Sequence, residues 1–131
     1  MALRFQKHYR LDEARALLPE VRQWLDQLGR VKEQLARLDA RLADRLENGH
    51  DLGGDTVSRW LKAVVAFKSL LEEFARREIQ IKDLDRGLVD FPAFMGGREV
   101  FLCWERGEED IEYWHDLESG YAGRERLTPN V

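Results

Sequence analysis

Apolar residues recur through the first half of the chain at gaps that alternate between three and four: Ala14, Leu17, Val21, Trp24, Leu28, Val31, Leu35, Leu38 and Leu42. That spacing keeps side chains on one side of a helix and on neither face of a strand. Residues 14–42 are thereby committed to helix. The helix begins near Leu11, where Asp12 is a better capping residue than Arg10. Pro19 either ends a first short helix or kinks a longer one, because it removes a donor and crowds the preceding turn. Ahead of it, Phe5–Tyr9 alternates weakly and predicts a short strand.

A second seam follows at Val57, Trp60, Val64, Phe67, Leu71 and Phe74. Between the two lies a polar, glycine-rich connection over Asn48–Gly54. Gly49 suits a left-handed helix stop, and Asp55 or Thr56 suits the next cap. Two helices joined by a short loop make an antiparallel hairpin, so the start of the first meets whatever follows the second. Leu18, Leu25, Leu46, Leu61, Val65 and Leu70 lie off the seams, and two helices cannot bury stripes that wide. A second copy of the hairpin completes the burial, so the expected partner is the chain itself, as a homodimer.

Past Leu84 the rhythm changes. Asp85-Arg86-Gly87 and Met95-Gly96-Gly97 are turn signals. Leu88–Phe91 reads as extended, and Pro92 confines it to a sheet edge or a strand end. Val100–Gly107 and Ile111–His115 then form a hairpin holding the chain's one cysteine and two of its four tryptophans. A turn of two or four residues at Gly107-Glu108 puts Val100, Leu102, Trp104, Ile111, Tyr113 and His115 on one face. Phe101, Cys103, Glu105, Glu112 and Trp114 take the other. That parity separates His115 from Cys103. It also argues against Glu112-x-x-His115 as a metal pair, since that spacing shares a face on a helix but not on a strand. Cys103, with carboxylates for neighbours, reads as a small buried hydrophobe rather than a nucleophile. His115 reads as a core histidine with one hydrogen bond, while His8 and His50 receive no role. The tail, Ser119-Gly120-Tyr121-Ala122-Gly123-Arg124, reads as a turn folding the C-terminus over the hairpin. Its glycines also permit close approach of a ligand, and its arginine suits an anion.

Composition narrows the function classes. Net charge is −4 with acids interleaved among the arginines, so no broad positive field draws in nucleic acid or an anionic membrane. Nucleic-acid binding by helix arginines is the weakest reading. The N-terminus lacks an apolar signal core and no run reaches the length of a membrane span. A single cysteine excludes an internal disulfide and fits a reducing compartment. The expectation is a soluble cytoplasmic protein.

Several blocks resemble a known prokaryotic family: Arg86-Gly87-Leu88-Val89-Asp90-Phe91-Pro92, Gly97–Trp104, Tyr113-Trp114-His115-Asp116 and Gly120–Arg124, with Leu11–Pro19 at the start. They are similar to the family catalogued as domain of unknown function 2203. The resemblance implies no activity, and it hints that residues 86–92, 97–104 and 113–124 belong to one surface. Members tend to carry a threonine cap where this chain has Arg10.

The expected fold is α+β: one domain with a helical hairpin over residues 11–83 and a small antiparallel sheet and tail over residues 84–131, at the hairpin's open end. The expected function is a non-enzymatic interaction or small-ligand-binding module without a cofactor. Its site is lined by Asp90, Trp104, Glu112, Trp114, His115 and Arg124. The rival is a protein or enzyme that binds a divalent transition metal through His115 with Glu112, Asp116 or Asp90.

Overall fold

A computed structural model describes residues 2–49, 51 and 53–128; His50 and Leu52, in the expected connection, lie outside the described residues. Two helices, α1 (Leu11–Glu47) and α2 (Gly54–Ala75), precede a five-stranded antiparallel sheet. The strands are β1 (Gln80–Asp83), β2 (Leu88–Met95), β3 (Arg98–Glu105), β4 (Tyr113–Asp116) and β5 (Glu125–Arg126), adjacent in sequence order. The fold class is α+β, as the periodicities imply. The chain forms two compact units, Trp24–Glu73 and a second made of Met1–Gln23 with Phe74–Val131. Among the described residues, no helix is long and apolar enough to cross a membrane.

In the helical unit the arms pack as a hairpin, and Trp60 Nε1 donates to Asp39 across it at 2.8 Å. The buried line on α2 is rotated from the predicted seam. Thr56 and Ala63 are buried, whereas Val57 and Val64 are half-buried and Leu71 is exposed. Leu61 and Val65 remain exposed, at 52% and 62%. The cap of α2 is neither Asp55 nor Thr56. Gly53, at φ +77°, offers its carbonyl to Val57 N, and a Cβ there would lie 2.5 Å from Arg45 Nη1. Gly49, at φ +70°, takes the left-handed stop expected of it.

In the sheet unit, α1 runs through Pro19 without ending. Its cap is Arg10, whose carbonyl accepts Ala14 N and whose amide donates to Glu13 Oε1 at 2.9 Å. This is the acidic half of a capping box, without the hydroxyl half. Residues 80–83, expected to belong to the helical segment, are instead β1. Ile79 N bonds Phe74 O and Glu78 N bonds Ala75 O, which is a Schellman stop, and Phe74 and Ile79 are both buried. Glu78 occupies its left-handed position at φ 57°, a conformation costing a non-glycine residue about 1–2 kcal/mol. Its carboxylate explains the choice, because it accepts both Gln6 N (3.0 Å) and Lys7 N (2.8 Å).

Glu99 holds the same arm, accepting Arg4 N (2.8 Å) and Phe5 N (3.0 Å) and meeting His8 Nε2 at 2.9 Å. Residues 5–9 therefore form no strand: side-chain carboxylates take the amides a neighbouring strand would need. His8, given no role above, stacks on Phe94 at 3.9 Å. The Arg4 amide, then His8 and Phe5, keep Glu99 below the usual carboxylate range. Such a group stabilises the fold above its unfolded value of about 4.3, and the contribution is lost as pH falls through its lower folded value. Protection of the Arg4 and Phe5 amides, relative to their intrinsic exchange rates, should therefore fall at acid pH, and Glu99→Gln should show the reduced protection already at neutral pH. Equal protection in variant and parent at pH 7 would remove Glu99 as the anchor.

Pro92 sits inside an eight-residue strand with neighbours on both sides, not at a strand end. β1 pairs β2 only as far as Asp90. Beyond that point the outer edge of β2 meets the arm, and Pro92 O accepts Tyr9 N at 2.7 Å. Locally Pro92 is still on an edge, which is why it costs no ladder bond.

Candidate functional site

The register across β3 and β4 decides which side chains meet. Phe101 pairs His115, Cys103 pairs Tyr113 and Leu102 pairs Trp114. The connection is residues 106–112, an odd-numbered loop rather than a turn of two or four. An odd loop shifts the pairing by one residue, and that moves every β4 side chain to the opposite face. His115 therefore shares a face with Cys103 and Phe101, not with Val100, Leu102 and Trp104. The loop keeps this length because its carbonyls are claimed: Arg15 donates to Ile111 O (2.8 Å), Arg22 to Glu109 O (2.8 Å) and Trp104 Nε1 to Glu108 O (3.0 Å).

From the other side, β2 places Asp90 opposite Cys103. The three side chains meet: single donor atoms from Asp90, Cys103 and His115 all lie within 4.8 Å of one another, and all three residues are buried. His115 Nδ1 donates to Asp116 O at 2.6 Å, since a carbonyl only accepts, and Nε2 lies 2.9 Å from Asp90 Oδ2. Two lone pairs do not face each other at that distance unless something positive sits between them. In the metal-free protein this is a proton. Burial opposes charging of His115, but the bonds to Asp90 and to the Asp116 carbonyl outweigh it, and its pKa is raised. Asp90 Oδ1 is buried without a hydrogen-bond partner among the described residues.

The Cys103 thiol is pushed up to about 12, first by burial and then by the Asp90 charge. The direction matches the sequence reading, though the carboxylate is Asp90 rather than Glu105 or Glu112. Both imidazole nitrogens are engaged, so His115 is not placed to draw a proton from the thiol. A cysteine nucleophile has no support in this geometry. Arg124 reaches the sulfur at 3.8 Å while its guanidinium forks onto Glu108 at 2.7 and 3.2 Å, between the rings of Tyr113 and Tyr121. The tail folds back as expected: Gly123 packs so closely that a Cβ would lie 2.6 Å from Ser119 Cβ, and β5 pairs β4. The anion beside Arg124 is thus Glu108, and the close approach is to the chain itself.

Of the residues singled out from sequence, Asp90, His115 and Arg124 come together around Cys103. The others do not join them. Trp104 lies on the opposite face, 0% exposed, under the Arg22 guanidinium. Trp114 pairs Leu102 on that face as well. Glu112 is paired with Arg126 at 3.4 Å near the surface. The Asp116 carboxylate accepts Glu118 N and Ser119 N, and only its carbonyl touches His115. The set Glu112, His115 and Asp116 is therefore not assembled as a metal site. Sequence reasoning misses Lys82, because a helical hairpin over residues 11–83 includes it, whereas in the fold it lies in β1. Lys82, Asp90, His115, Leu88, Phe101 and Tyr121 line a cavity of about 240 Å³, together with residues of the tail.

A family model described as "Uncharacterized conserved protein (DUF2203)" matches residues 7–127. No curated protein and no solved structure matches the chain.

Proposed function

The chain belongs to the family of uncharacterized conserved proteins that carries the designation DUF2203, and we propose that it binds a divalent transition metal of the zinc class through Asp90, Cys103 and His115. One observation carries the reading. Three buried donors of thiol, imidazole and carboxylate type converge within 4.8 Å, and one carboxylate oxygen has no hydrogen-bond partner among the described residues. Zinc takes these ligand types at about 2.0–2.3 Å, which sets adjacent donors roughly 3.3–3.8 Å apart. Little movement is needed to reach that from the present spacing. The surroundings fit as well. The other His115 ring nitrogen donates to a backbone carbonyl, which fixes the tautomer that leaves Nε2 for a metal. An Arg124 N–H points at the sulfur at 3.8 Å, a hydrogen bond that favours the thiolate. Three protein ligands leave one position open, the pattern of zinc sites that bind an exogenous molecule rather than serve structure alone.

Protein purified without a metal-affinity tag should carry, or take up, close to one zinc or cobalt per chain. Cobalt loading should produce a near-ultraviolet thiolate charge-transfer band, absent from Cys103→Ser. Because binding must displace the thiol proton, held at a pKa of about 12, affinity should rise with pH. No stoichiometric metal after incubation with zinc, cobalt, iron or manganese, together with an unchanged melting temperature, would overturn the proposal.

A further inference from the structure

We infer that the cavity beside the centre takes a small monoanion of the carboxylate class, bound between the metal's open position and Lys82. This rests on the metal reading and adds to it the ligand's charge and size. Asp90 and His115 form part of the cavity wall, so a molecule inside it reaches the position that three protein ligands leave open.

Charge supplies the sign. With a divalent ion in place, a thiolate and the Asp90 carboxylate balance its two charges. The Arg124 guanidinium is balanced by Glu108 at 2.7 Å, and Glu118 at the cavity rim is taken by Arg4 at 2.6 Å. Lys82 is left over. Its ammonium lies 5.2 Å from the centroid of the Phe101 ring and forms no ion pair among the described residues. The loaded cavity is therefore positive by one, and an anion of one charge neutralises it.

Size and lining select among anions. A volume of about 240 Å³ is smaller than the roughly 300–1,000 Å³ of sites for drug-sized ligands. Leu88, Phe101 and Leu117 supply apolar wall. A phosphate, with three oxygens to satisfy, meets one ammonium and hydrocarbon there, and burying unpaired oxygens is costly. A short-chain carboxylate places two oxygens between metal and Lys82 and its apolar body against the leucines.

The test uses the full chain loaded with cobalt and titrated with acetate, with acetamide as the neutral isostere and inorganic phosphate as the competing anion. Acetate should shift the visible cobalt bands saturably, and acetamide should not. Lys82→Met should keep one cobalt per chain and its thiolate band while weakening acetate about tenfold or more, the worth of a charge-assisted hydrogen bond. A cobalt site that forms but ignores acetate overturns the inference and leaves the metal reading standing. So does phosphate binding more tightly than acetate, or an acetate response unchanged in Lys82→Met. A chain that binds no cobalt overturns both.

Discussion

His115→Ala should destabilise the metal-free protein by about 3–5 kcal/mol, the usual cost of removing one partner from a buried ion pair. A domain of this size holds only about 5–15 kcal/mol of net stability, so the variant should show a large unfolded fraction in mild urea. The cost arises on Asp90 more than on the histidine. Asp90 is 1% exposed and its Oδ1 has no hydrogen-bond partner among the described residues, so removing the imidazole leaves neither oxygen with a donor there. Asp90→Asn should be much milder, about 1 kcal/mol, because an amide N–H can donate to Nε2 of a neutral imidazole whose Nδ1–H still reaches Asp116 O. Both variants should fail to bind metal. Urea unfolding in the presence of a chelator, paired with a metal titration, separates the two roles. A cost below about 1 kcal/mol for His115→Ala would mean that the pair is not buried as described.

The same pair sets opposite pH trends for the free and loaded protein. The folded His115 has a raised pKa. Its contribution is fully present below the unfolded value of about 6.5 and is lost as pH rises through the folded value. Metal binding needs the neutral ring and the thiolate, so it strengthens over the same rise. Asp90→Asn should abolish the first trend, since no carboxylate then holds the imidazolium.

The helices were legible because a 3.5-residue repeat has one structural meaning, and the two seams predicted α1 and α2 to within a few residues. The line of contact on α2 was less legible. Thr56 and Ala63 are the buried positions, and a pattern that counts only large apolar residues prefers Val57 and Val64. β1 was hidden by Glu78, which ends a helix in a conformation normally left to glycine. The site turned on the parity of one loop. Every residue of the Asp90–Cys103–His115 cluster was singled out beforehand, but a hairpin turn of two or four residues keeps His115 and Cys103 apart. The contacts that make the loop odd, from Arg15 and Arg22, come from α1, and no local pattern announces them.

Trp104 shows the reverse error and carries the second large effect. Next to the cysteine in sequence, it reads as a ligand-lining aromatic. In the fold it is 0% exposed on the face of β3 away from the cluster, among Val89, Val100 and Leu102. Trp104→Ala should cost about 3–5 kcal/mol, the range for deleting a buried aromatic, and should remove the Nε1 donor to the Glu108 carbonyl. Arg22 Nη2 remains as a second donor to that carbonyl at 3.4 Å, so loss of Nε1 alone leaves the Glu108 carboxylate holding Arg124 against the sulfur. Trp104→Phe keeps most of the apolar volume and loses only the Nε1 donor, a change of about 1 kcal/mol. Urea unfolding of both variants, with cobalt titration of the phenylalanine form, distinguishes the roles. If Trp104 lined a ligand site, both substitutions would leave stability within about 0.5 kcal/mol and alter binding instead. If it is core, Trp104→Phe should bind cobalt with nearly parental affinity while Trp104→Ala unfolds early, and loss of the metal should follow loss of the fold.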